Sequence, residues 1–408
     1  MASKLSRATK HARKGLIIFL IFAISTFLFN FIFKITDNEQ EGPIGSTGNQ
    51  ANPYLEADQG LGQIPFPTIT SLETNPVNNT TYSLQEIDVL PSFPPVVNVY
   101  EINKPREKLG NASKGEKVAT ELELSSSGRI IEENTLLWQS PDTIRSLTYN
   151  KLFEKWNFNT DLSKERLDSG TLETLKTNPT TGYYNNIGLS TLSNLNLNNN
   201  YFKDSNSLFH FVNYDGTTQF STAISPRNAK YVYINQYKSI LASEIDPEYR
   251  PKQNETPSVN YISDIRKLEY HKGSANLLVR GNMETLLPGL VQFEMHELNY
   301  GKKGVYKAVD STNAFLKVQN NEGILYYLKL KGEDIFSAHQ KLSIKTYAIE
   351  TNKTKIIYIE PNEWIESQPW TNYLQPYFLF EGVAILEDGR EADFAIILPA
   401  LAESEYSE

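Results

Sequence analysis

The chain has 408 residues, 39% hydrophobic and 12% aromatic, enough for two or three domains with real cores. It contains no cysteine, which excludes disulfides, cysteine-ligated zinc, iron–sulfur clusters and thiol nucleophiles. Six basic residues fall within 1–34; without them 33 basic face 48 acidic residues, and a body at −15 argues against nucleic acid as a partner.

Residues 1–14 read as a basic cytoplasmic stub. The run "GLIIFLIFAISTFLFNFIF", Gly15 to Phe33, is uncharged. As a helix it would reach about 28 Å, close to the roughly 30 Å hydrocarbon core of a bilayer. Basic residues precede it and the first acidic residue is Asp37. The positive-inside rule therefore predicts a single-pass signal anchor with the lipid bilayer as its partner and the remaining chain exported. The run is longer than a signal-peptide core and no small-x-small cleavage site follows it. The absence of cysteine favours a bacterial envelope over a secreted eukaryotic ectodomain.

Residues 34–80 are rich in Pro, Asn and Gly and predict a linker, although "LGQIPFP" carries enough apolar side chains to dock on a folded part. From about 97 onward helical and strand signals alternate. "KGEKVATELEL" (114–124) sets Val118, Ala119 and Leu122 on one helical face. "RIIEENTLLW" (129–138) and "TIRSLTYNKLFEKWNF" (143–158) read as strands. Ser225 and Pro226 can start a helix before the strand "YVYINQY". Asp310 or Ser311 can cap a helix holding Ala314, Phe315 and Val318, with a strand after the Asn-Asn-Glu-Gly break. Residues 179–200 and 246–258 read as loops. Long strands are expected over 339–350, 355–360, 376–386 and 391–398. The fold class is α+β, mostly antiparallel, built from loosely repeated α-β-β units behind one amino-terminal transmembrane helix. The exported part divides into a first α+β region, 81–258, and a β-rich region, 259–408.

Local motifs for chemistry are scarce. His11 belongs to the stub, and His210, His271, His296 and His339 are far apart in sequence. In "FEMHELNY" (293–300), Glu294 and His296 would share one strand face while Glu297 points to the other. No Gly-x-Ser-x-Gly elbow, Walker loop or dinucleotide glycine pattern occurs. No catalytic, cofactor-binding or metal-binding residue is assigned, and no cofactor is expected. Glu381, Asp388 and Glu391 are the most tempting carboxylates, the last two more simply explained as a solvated hairpin rim. The Tyr- and Asn-rich stretch 179–214 has the composition of an adaptable recognition surface or of an ordinary polar loop.

The closing segment "YLQPYFLFEGVAILEDGREADFAIILPALA", Tyr373 to Ala402, predicts a hairpin. Asp388-Gly389 suits a two-residue type I′ turn, which would set Glu387 against Arg390, Ile385 against Ala392 and Val383 against Phe394. Apolar residues on both faces up to Gly382 predict burial on two sides, Gly382 marks a bulge or close backbone approach, and Pro376 and Pro399 bracket the pairing. Together with "GVYKAVDSTNAFLKVQNNEGILYYLKL" (304–330), this segment resembles bacterial single-pass envelope proteins of the PepSY-like and YycH/YycI-like kind. The resemblance implies a non-catalytic regulatory ectodomain with an envelope or membrane protein partner, such as a sensor kinase or a protease. Two other classes stay open: an envelope glycan or peptide hydrolase and a passive surface component. The hydrolase would need two carboxylates about 5–10 Å apart in a concave pocket, with Glu381, Glu294 and Glu297 as candidates.

Overall fold

The computed structural model describes residues 53–77, 79–85, 89–164, 181–203, 205–214, 220–223, 229–248, 260–280 and 289–407. The stub, the anchor run 15–33, the first part of the linker, His11 and the helix start at Ser225-Pro226 lie outside them. No helix among the described residues is long and apolar enough to cross a membrane.

The strands are β1 (Ile64–Pro65), β2 (Thr81–Gln85), β3 (Val96–Ile102), β4 (Arg129–Glu132), β5 (Thr135–Gln139), β6 (Arg145–Asn150) and β7 (Lys155–Thr160). Next come β8 (Ser207–Tyr214), β9 (Phe220–Thr222), β10 (Tyr231–Gln236), β11 (Lys238–Ser243), β12 (Tyr261–Lys267), β13 (Ala275–Arg280), β14 (Leu290–His296) and β15 (Tyr300–Lys307). The last six are β16 (Ile324–Leu330), β17 (Ile344–Glu350), β18 (Lys355–Glu360), β19 (Tyr373–Leu386), β20 (Glu391–Pro399) and β21 (Tyr406–Ser407). Among the described residues three α-helices, α1 (Asn111–Glu121), α2 (Thr181–Asn194) and α3 (Ser311–Gln319), complete an α+β fold.

The first sheet runs β4-β5-β6-β7-β14-β13-β10-β8-β9 and is antiparallel throughout. Strands β5 and β7 alternate between buried and more exposed positions, while β10 and β13 are buried on both faces. Leu136, Leu147, Trp156, Phe158, Phe293 and Ile234 face one side, where α1 and α2 cover them and bury the first core. The second sheet is organised around β19, which bonds β18, β17, β20 and β3. Two of its contacts, β12 with β18 and β2 with β17, are parallel.

The sheets do not divide the chain at a single point. β3 belongs to the second sheet, while the β13–β14 hairpin belongs to the first. Between β10 and β11 only Tyr237 intervenes, and residues 268–274 link β12 to β13. At these two places, and again over 103–128 and 297–299, the chain passes from sheet to sheet. Each helix is followed by two strands, but only β4–β5 and β8–β9 bond each other; β16 pairs with β20.

Local chemistry accounts for many of the elements. Asp310 caps α3 by accepting from the Asn313 N–H at 3.0 Å. Val118, Ala119 and Leu122 are buried together beneath α1. In the β6–β7 turn the Asn150 side-chain Oδ1 accepts from the N–H groups of Leu152 and Phe153. The helix α2 lies where a loop was expected. Its polar composition hides a stripe of Tyr184, Leu192 and Leu195, which is driven onto the sheet by tertiary burial. Residues 53–77, read as linker, follow the second sheet. Ile64 is fully buried, β1 pairs with β21, and Asp58 accepts from the Val305 N–H at 2.8 Å. A few apolar side chains and strand-type hydrogen bonds suffice to fix this polar segment.

The closing hairpin departs from its expected register by one residue. Ile385 faces Glu391, Val383 faces Asp393 and Gly382 faces Phe394. The Leu386 N–H bonds the Arg390 carbonyl and the Gly389 N–H bonds the Leu386 carbonyl. Glu387, Asp388 and Gly389 therefore form a three-residue loop, with Gly389 at φ 85 supplying the left-handed residue. From Leu374 to Phe380 β19 is buried on both faces; beyond Glu381 burial alternates. Gly382 is the site of a close approach: a Cβ there would lie 2.0 Å from the Ala348 carbonyl oxygen. Pro399 ends β20, whereas Pro376 sits inside β19 opposite Tyr358.

Candidate functional site

Two of the crossings between sheets, at Tyr237 and at 268–274, border a cleft of about 550 Å³. One wall comes from Asn206, Ser207 and His210 of the segment leading through β8, and Tyr237 and Tyr270-His271 stand at the crossings themselves. The other wall is the second sheet. On β12 Asp264 and Arg266 face the cleft, while the intervening Ile265 belongs to a separate apolar cluster. Glu381 from β19 and Asp393 from β20 share the same face, because 381 pairs with 395 and 383 with 393.

Rings line the cleft. Tyr270 and Tyr327 stack at 4.2 Å, His271 meets Tyr327 edge-on at 4.7 Å, and His210 meets His271 at 5.0 Å. The Arg266 guanidinium lies over the rings of Tyr237 and Tyr270, at 5.1 and 5.4 Å. The floor is ionic and internally matched. Arg266 reaches Glu381 at 3.4 Å, and the Tyr270 hydroxyl donates to the same carboxylate. Lys355 reaches Asp264 at 2.9 Å, where the Asn206 amide also donates. Lys329 is spent on the carbonyl and hydroxyl of Ser337. The Asp393 carboxylate makes no hydrogen bond or ion pair among the described residues.

Burial sets the protonation states here. Burial pulls the His210 imidazole down to about 4, and burial together with His210 pulls His271 down to about 3, so both rings are neutral. Burial alone would raise Asp264 and lower Arg266, but Lys355 keeps the carboxyl low, and Tyr237 with Glu381 keeps the guanidinium high. Burial pushes the Asp393 carboxyl up.

The remaining sequence candidates scatter. Glu294 and His296 do share a face, lining a separate cleft of about 350 Å³ where Glu294 pairs with Lys272 at 3.5 Å. Glu297 turns away from them, packing with Glu154 and Lys114 beside a third cleft. Behind His296 the buried Glu360 takes a hydrogen bond from Tyr300 at 2.6 Å and ion pairs from Lys267 at 2.5 Å and Lys238 at 3.6 Å. Burial would raise Glu360, but the two ammoniums bring it down to about 2. Asp388 pairs with Arg390 and Glu391 with Lys331 on the exposed rim of the hairpin. His339 is exposed, with its Nε2 at 2.7 Å from the Glu73 carbonyl. No group of three His, Cys, Asp or Glu among the described residues could hold a metal ion.

Of the cleft residues, sequence reading had singled out Glu381 alone as a carboxylate worth testing. His210 lies on β8 and His271 in the link from β12 to β13, and no local spacing announces their contact. No family model, no curated protein and no solved structure matches this chain.

Proposed function

We propose that this chain is a membrane-anchored, extracytoplasmic, non-catalytic binding protein of a bacterial envelope, with the inter-sheet cleft as its recognition site. One observation carries the binding reading: the floor charges already neutralise each other, Arg266 on Glu381 and Lys355 on Asp264, inside an aromatic rim. Buried charges held this way form a preorganised surface, which suits recognition. The uncharged run 15–33 behind its basic stub supports the anchor. The resemblance of the closing segment supports a regulatory role beside a membrane protein partner.

A second reading is favoured by Glu381 and Asp393. As diagonal neighbours across an antiparallel pair they lie about 7–8 Å apart by backbone geometry. Both side chains face the cleft from one side of the sheet, and burial raises one of the two carboxyls. Full-length chain incubated with isolated, labelled envelope polymers separates the readings. A binding protein retains the polymer and releases no soluble fragment. Release of fragments that Asp393→Asn abolishes would replace binding by hydrolysis.

A further inference from the structure

Six buried polar atoms on residues that line the cleft have no hydrogen-bond partner among the described residues: Ser207 Oγ, His210 Nε2, Tyr237 OH, Arg266 Nε and both ring nitrogens of His271. Native proteins leave few such atoms, and here they converge on one cavity. Tyr237 is 3% exposed and Arg266 7%, so neither can turn out to bulk solvent. The set mixes obligate donors, such as Arg266 Nε–H, with groups that donate or accept, such as the hydroxyls and the neutral imidazoles. A ligand satisfying all of them must carry many groups that are donor and acceptor at once. Hydroxyl groups have that property.

Charge narrows the class further. Four cations (Arg266, Lys329, Lys353, Lys355) and four carboxylates (Asp264, Glu333, Glu381, Asp393) line the cleft, and the most buried of them are paired. An anionic ligand would have to draw Arg266 or Lys355 from its carboxylate, which costs several kcal/mol. The ring wall of Tyr270, Tyr327 and His271 offers apolar faces and edges to C–H groups. The volume of about 550 Å³ lies within the ordinary range for a small-molecule site.

We propose that the cleft binds a neutral saccharide, with its hydroxyl groups on Arg266, Tyr237 and the two histidines and a ring face against the Tyr327–His271 wall. The proposal rests on the binding reading above and names its ligand class. Isothermal titration of the full-length chain in detergent with chitotriose, cellotriose and maltotriose tests it, with trigalacturonic acid as the charged comparison. At least one neutral trisaccharide should bind saturably, and at least tenfold more tightly than the acid. His271→Gln and Tyr327→Ala should each weaken that binding at least tenfold, and Lys117→Ala on α1 should leave it unchanged. If Tyr327→Ala fails to fold, as judged by thermal unfolding, His271→Gln decides. Absence of saturable binding by all three, equal binding of the acid, or indifference to His271→Gln would overturn the proposal. Retention of the chain on envelope polymers despite such a failure would leave the binding reading standing and remove only the saccharide.

Discussion

Glu360 shows how much a single side chain carries in this molecule. It is fully buried and is the shared counter-charge of Lys238 and Lys267, both also buried. Removing one partner of a buried pair leaves uncompensated charge, at a cost of about 3–5 kcal/mol. Glu360→Gln should therefore lower stability to urea by about that amount, while Glu391→Gln, which loses only the exposed pair with Lys331, should stay within about 1 kcal/mol. Equal effects would mean that the Glu360 cluster is hydrated. At this scale the sequence was readable only where chemistry is local. Asp310 declares its cap through spacing, and the sidedness of Glu294, His296 and Glu297 follows from strand periodicity. Glu360 has its partners on β11, β12 and β15, so nothing near it in the chain reveals them.

At the scale of elements the closing hairpin is the clearest case. Its two arms were legible from alternation and from the Asp388-Gly389 pair. The register was not, because the same dipeptide serves a two-residue and a three-residue loop. The difference moves every partner by one, setting Gly382 against Phe394. Gly382→Ala must push β19 from β17, since the new Cβ would meet a backbone oxygen, and should destabilise by about 1–3 kcal/mol. Gly389→Ala meets no atom and carries only the left-handed penalty of about 1–2 kcal/mol. Thermal unfolding of the two variants should rank Gly382→Ala as the more damaging; the reverse order would contradict the close approach. Phe394→Asp, which places a charge among Tyr347 and its apolar neighbours, should abolish cooperative unfolding. A folded variant with a normal transition would refute that core role. The helix α2 was missed for a related reason. Its apolar stripe is sparse, and its stability comes from the sheet beneath it and not from its own composition.

The whole molecule couples two sheets through polar crossings, and its response to acid follows. His210, His271 and His296 are held neutral, at about 4, 3 and 3, against an ordinary value of 6.5. Below pH 6.5 the unfolded chain takes up protons that the fold refuses, so stability is full above that pH and falls as pH drops towards 4. Each histidine contributes a slope of roughly 1.4 kcal/mol per pH unit, together about 4 in the steepest region. Glu297, raised by burial and by Glu154, works in the opposite sense with one proton. Urea midpoints at pH 7.5 and 5 should differ clearly, and a flat profile would show these histidines to be hydrated.

Fold class was legible from the run of strand signals. The cleft was not, because its walls draw on residues from Asn206 to Phe394, brought together only by the sheet crossings.

The claim that the cleft is the recognition site meets its most direct test in footprinting. Full-length chain would be labelled at histidine and tyrosine side chains, free and bound to isolated envelope polymers. Protection confined to His210, His271, Tyr270 and Tyr327 is the expected result. Protection of Tyr183 on α2 with no change at His271 would place recognition on the opposite face of the first sheet and contradict the account.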